Sequence, residues 1–82
     1  MGKIKNWYKE AYWTTGKRKG AVRYDNRING SSLFVEPNLG NPKMNHWMVT
    51  VIDKKDKQKM RMWRRTKKMT MEIAMKYMNE NP

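Results

Sequence analysis

Residues 57–68, "KQKMRMWRRTKK", hold seven Lys or Arg, two Met and one Trp and no acid, and whether they form a helix or a strand decides the fold. As a helix, at about 100° per residue, the stretch would scatter its cations around the whole circumference. As a strand, with side chains alternating between two faces, Met60 and Met62 point one way and Arg61, Trp63 and Arg65 the other. The strand sorts apolar from cationic groups, and the preceding sequence fits it. "HWMVTVID" (46–53) alternates Trp47, Val49 and Val51 against Met48, Thr50 and Ile52, with the β-branched content of a largely buried strand. "DKKD" (53–56) supplies the turn between the two, because Asp side chains bond to nearby backbone amides.

Working outward, the period changes at Thr66. This residue is placed to cap a helix through "KKMTMEIAMKYMNENP", which has no breaker before Pro82. Met69, Ile73, Ala74 and Tyr77 fall on one face of that helix and are expected to meet the sheet. Met71, Met75 and Met78 form a second row around the axis. Upstream, "GAVRYDNR" (20–27) and "SSLFVE" (31–36) flank Asn29-Gly30, a pair suited to a tight hairpin because both positions tolerate positive φ. "PNLGNPKMN" (37–45) is a long loop between strands of one sheet. "NWYKEAYWTT" (6–15) has both a short helical face (Trp7, Tyr8, Ala11, Tyr12) and a strand face (Trp7, Ala11, Trp13). The strand is preferred, paired with 20–27 through "TGKRKG" (15–20).

These elements give an α+β class: a small antiparallel sheet of three to five strands with one C-terminal helix packed on one face. A chain of 82 residues makes one domain, 1–82, with a thin core and with 1–6 and 79–82 expected to fray. Val22, Tyr24, Leu33, Val35, Trp47, Val49, Val51, Met60 and Met62 are expected to face the helix. Arg23, Phe34, Thr50, Arg61, Trp63 and Arg65 are expected on the opposite face.

The residue inventory excludes several chemistries. With no Cys there are no disulfides, zinc fingers or thiol reactions. The single His, His46, and seven dispersed acids offer no metal cluster, so no metal ligand, catalytic residue or cofactor is assigned. Asp53 and Asp56 read as turn formers, and Gly16 and Gly20 lack the spacing of a phosphate-binding loop. No apolar run has the length of a membrane span and the N-terminal residues do not read as a signal peptide, so a cytoplasmic protein with no membrane partner is expected. "NGS" (29–31) reads as a turn rather than a glycosylation site.

Charge gives the positive indication. Nineteen Lys and Arg against seven Asp and Glu leave +12 at neutral pH, and the self-repulsion is relieved by an anionic partner, nucleic acid first among them. The candidate contacts are Lys17, Arg18 and Lys19 in the first turn, Arg23 and Phe34 on the sheet, and Arg61, Trp63, Arg64, Arg65, Lys67 and Lys68 around the last strand. Arg-rich strands suit the major groove of duplex DNA, and aromatic residues on a sheet suit stacking on unpaired bases. Duplex DNA is preferred because Arg outnumbers aromatic residues on the face. Two structural alternatives accompany this reading: "TGKRKG" as a solvated turn, and Trp63 and Phe34 covered by the Trp7/Tyr8/Trp13 segment. A separate reading is a protein-interaction module or adaptor, docking on an acidic partner or forming a homodimer through Met71, Met75 and Met78. The row's structural alternative is burial against the N-terminal segment.

Overall fold

The computed structural model describes residues 4–38 and 46–82. Five strands, β1 (Trp7–Tyr12), β2 (Val22–Asn26), β3 (Ser32–Pro37), β4 (Trp47–Ile52) and β5 (Gln58–Arg64), precede one helix, α1 (Lys67–Glu80). The strands follow one another across a single antiparallel sheet in the order β1-β2-β3-β4-β5. The expected α+β class is the one observed. Most of the expected loop 37–45 lies outside the described residues. Within them, Pro37 ends β3 and the Asn38 amide donates to the His46 carbonyl at 2.7 Å.

Register follows the hydrophobic alternation. Val22, Val35, Val49 and Met62 stand in one cross-strand row, and Tyr24, Leu33, Val51 and Met60 in the next. Both rows face α1, and Leu33, Val35, Val49 and Val51 lose all contact with water. Burial of each such side chain favours the folded state by roughly 1.5–3 kcal/mol.

The helix meets these rows through a face rotated from the expected one. Thr70, Ala74 and Met78 are buried at i, i+4 and i+8, with Met71, Ile73 and Tyr77 packed beside them, while Met69 is 45% exposed. Thr70 escapes pattern reading because it is polar. Its hydroxyl donates within the helix, 2.7 Å from the Lys67 carbonyl oxygen and 3.3 Å from that of Thr66, so it is buried with its donor satisfied. Thr66 caps the helix as expected, its hydroxyl accepting from the Met69 amide at 3.2 Å. The Met71/Met75/Met78 row is not an exposed surface: Met78 lies in the core and Met71 packs against it, leaving Met75 at the surface.

The start of β1 and the C-terminal end of α1 are tied together. Trp7 is buried, its Nε1 donates to the Asn81 carbonyl oxygen at 2.8 Å, and its ring meets Tyr77 edge-on at 6.3 Å. Ile4 packs on the core and the Asn6 carbonyl accepts from the Arg27 amide, so the described residues before β1 are also held. In β1 the register shifts between Lys9 and Ala11, a bulge at Glu10. The bulge overturns the expected strand face of Trp7, Ala11 and Trp13: Trp7 and Tyr12 pair with helix-facing residues, whereas Tyr8 and Ala11 pair with Asp25 and Arg23 on the other face.

The connections obey local hydrogen-bond chemistry. Asn29-Gly30 does not form a two-residue turn with two positive φ angles. Asn26 Oδ1 accepts from the amides of Ile28 and Asn29, the Asn26 carbonyl accepts from Gly30, and residues 27–31 form the loop. Gly30 alone takes positive φ there, at 76°, and a Cβ on it would lie 2.9 Å from Lys54 Cβ. The second hairpin forms at 53–57 as expected. Asp53 Oδ1 accepts from the Lys55 and Lys57 amides at 2.8 and 2.9 Å. The Lys57 bond chiefly, aided by Lys55 and by the charges of Lys59 and Lys57, holds the Asp53 carboxyl below the usual aspartate range.

Trp7→Phe keeps a buried ring but removes the bond to Asn81, so it is expected to lower stability by roughly 1–3 kcal/mol. Met69→Ala, on the exposed side of α1, is expected to cost about 0.5 kcal/mol or less. Urea unfolding midpoints of the two variants check this contrast directly.

Candidate nucleic-acid interface

The sheet face turned away from α1 is set by the same registers. Arg23, Phe34, Thr50 and Arg61 form a row across β2 to β5, and Glu36, Met48 and Trp63 form another across β3 to β5. Asp25, Ser32 and Ile52 make a third. The N-terminal segment does not cover this face, because β1 is an edge strand of the same sheet and Trp7 lies on the helix side. Trp63 is left 45% exposed.

The acids of this face are engaged by neighbouring side chains. Arg23 grips Asp25 through two bonds of 2.8 and 3.1 Å, and the same carboxylate accepts from the Ser32 hydroxyl at 2.9 Å. The Asp25 hydrogen bond raises the already high Arg23 pKa against the opposing effect of burial. The pair also places the guanidinium 5.4 Å from the Phe34 ring centroid, above the ring. Glu36 is paired with Arg18 at 3.3 Å and Glu10 with Arg27 at 3.3 Å. Arg27 in turn lies over the Tyr8 ring at 4.0 Å. Such exposed pairs contribute about 0–1 kcal/mol each to stability; their larger effect is on where the cations point. Arg61 is exposed and has no ion pair among the described residues.

Beside Arg61 the face dips into a shallow depression of about 260 Å³, lined by Arg18, Phe34, Glu36, Thr50, Ile52 and Arg61. Thr50 is 8% exposed and its hydroxyl has no hydrogen-bond partner among the described residues. A buried hydroxyl left in that state costs about 1–3 kcal/mol. Valine would have given the same shape in β4 without that cost.

The remaining sequence-predicted residues lie at one end of the sheet or on the helix side. Lys17, Arg18 and Lys19 occupy the β1–β2 turn, closed by bonds between Trp13 and both Gly20 and Ala21. Gly20 sits at φ 89° with its Cα against Trp47: a Cβ there would be 3.2 Å from Trp47 Cη2. Lys67 is next to this turn but on the helix side, its Nζ 5.2 Å from the Tyr12 ring centroid and 5.9 Å from that of Trp47. Arg64 also faces the helix side, opposite Trp47, and its Nη1 donates to the Trp63 carbonyl at 2.7 Å. Arg65 does not extend the alternation. β5 ends at Arg64, and Arg65 lies in the bend before α1, with Lys68 exposed one residue into the helix.

The outer face therefore unites Arg23, Phe34, Arg61 and Trp63, joined by Arg18 through Glu36. Lys17 and Lys19 are exposed in the β1–β2 turn, Arg65 in the bend before α1 and Lys68 in its first turn, and Arg64 and Lys67 lie on the helix side. Sequence reasoning missed Tyr8, which follows from alternation with the helix-facing Trp7 before the bulge, and Glu36. Glu36 follows directly from alternation with Phe34 on β3. Among the described residues no three His, Cys, Asp or Glu side chains gather to hold a metal, and no helix is long and apolar enough to cross a membrane.

Thr50→Val removes the unpartnered hydroxyl and keeps the β-branched shape, so it is expected to raise the unfolding free energy by up to about 1 kcal/mol. A raised urea midpoint checks this, and a clear drop contradicts it.

Comparisons of this chain with protein-family models, with curated proteins and with solved structures return no match.

Proposed function

We propose that this chain is a small cytoplasmic, non-enzymatic nucleic-acid-binding protein that takes duplex DNA in preference to single strands. The outer sheet face makes the central contact, and the cationic turn and the bend before α1 hold phosphates beside it. One observation carries the reading: on a sheet face with no element among the described residues packed over it, Arg61 and Trp63 stand exposed while Asp25 and Glu36 are each engaged by an arginine. A net charge of +12 supplies the attraction to a polyanion.

Two features support duplex over single-stranded ligand. Phe34 and Tyr8 each carry a guanidinium over the ring, Arg23 and Arg27, which takes up ring surface that an unpaired base would need for stacking. β5 is an edge strand of the five-stranded sheet, so Arg61 and Trp63 stand at the border of the outer face, where an arginine can reach base edges in the major groove. Dimerisation through the Met71/Met75/Met78 row is not proposed, since Met78 belongs to the core.

Binding to duplex DNA, single-stranded DNA and RNA oligonucleotides at two ionic strengths tests the proposal. Duplex affinity is expected to be the highest and to fall at least about 100-fold between 50 and 200 mM salt, as release of several counterions requires. Trp63→Ala is expected to weaken residual single-strand binding more than duplex binding. Failure to bind any of the three at low salt overturns the proposal.

A further inference from the structure

We infer that the depression between Phe34, Thr50, Ile52 and Arg61 reads a G·C base pair in the major groove, making binding sequence-selective. The inference rests on the duplex-DNA reading above and adds a base-reading site to it.

Three observations converge on the depression. Arg61 is the exposed cation of the Arg23/Phe34/Thr50/Arg61 row with no ion pair among the described residues. A guanidinium fork matches the adjacent N7 and O6 acceptors of guanine, a match that a purely phosphate-binding cation does not need. Thr50, more than nine-tenths buried, lies on the same side of the sheet with a hydroxyl that has no partner among the described residues, and lines the same depression. A hydroxyl both donates and accepts, so it serves a base edge well and an empty apolar niche badly. Glu36 enters the depression from β3, held at 3.3 Å by Arg18. On a surface that meets a polyanion a carboxylate repels phosphate, but it accepts from the N4 amino group of cytosine. Donors from Arg61 and an acceptor from Glu36 are the complement of a G·C pair.

The Thr50 hydroxyl is buried on the face of the sheet that it shares with its cross-strand neighbour Arg61. Reading a base with that hydroxyl requires that the long Arg61 side chain, in reaching guanine, open it to the base edge. The cost of burying that hydroxyl without a partner in the free protein is recovered on binding.

Selection of duplexes from a random-sequence library, followed by affinity measurements on single-position variants of the enriched site, tests this. The wild-type chain is expected to enrich a site with at least one fixed G·C pair. Arg61→Lys keeps the charge and gives up the fork, and is expected to lose about 5- to 100-fold of the discrimination at one such pair, the range expected for a bidentate base contact. Thr50→Val, checked for an undiminished melting temperature, is expected to reduce discrimination at that pair or its neighbour. Duplex binding without any enriched site overturns the inference and leaves DNA binding standing. An enriched site that Arg61→Lys weakens equally for every base at every position also overturns it, because Arg61 is then a phosphate contact. Absence of binding to all nucleic acids overturns the underlying reading as well.

Discussion

Leu33, Val35, Val49 and Val51 form a dry strip across the middle of the sheet, closed from above by Thr70, Ala74 and Met78 of α1. The rest of the structure depends on that contact. Side chains alternate along a strand, so once these four face the helix, Phe34, Thr50 and Arg61 must face the other way, and a slip of one residue would exchange the two sets. The helix can cover only one face. Its own end is tied by the Trp7 bond to Asn81, which holds the Trp7 ring of the edge strand β1 on the helix side.

The electrostatics are arranged on top of that frame. A chain carrying +12 gains little stability from exposed ion pairs, yet acids appear where they aim an arginine: Asp25 lays Arg23 over Phe34, Glu36 draws Arg18 to the rim, and Glu10 engages Arg27 over Tyr8. Arg61 is left to extend. The surface thus combines held cations, which shape it, with a central one that has no ion pair among the described residues. The buried Thr50 hydroxyl next to it is a local loss of stability of the kind that protein surfaces hold at binding sites.

Much of this architecture was legible in the residues. Alternation in "HWMVTVID" and "KQKMRMWRRTKK" gave the two faces of β4 and β5 correctly, because period-two patterning with β-branched residues is hard to satisfy in any other way. The face of α1 was less legible: a buried threonine bonded to its own helix looks polar in sequence, so the apolar pattern pointed to Met69 and not to Thr70. The bulge at Glu10 and the longer loop at 27–31 escaped for a related reason. Both are set by backbone hydrogen bonds, with Asn26 organising the loop, rather than by hydropathy. For the candidate site, composition indicated a polyanion and alternation placed Arg61 and Trp63 on one face. The pairing of Arg18 with Glu36 joins residues from separate segments and required the fold.

The proposed function divides the sheet into one face occupied by packing and an outer face that meets nucleic acid. Mapping of backbone amide chemical shifts during titration with duplex DNA tests it most directly, because it reports every described strand at once. The perturbed amides are expected in β4 and β5 around Thr50, Arg61 and Trp63 and in the 15–20 turn, with those around Ala74 and Met78 unmoved. Perturbations centred on α1 and its exposed Met69 and Met75, with Arg61 and Trp63 unaffected, would contradict it.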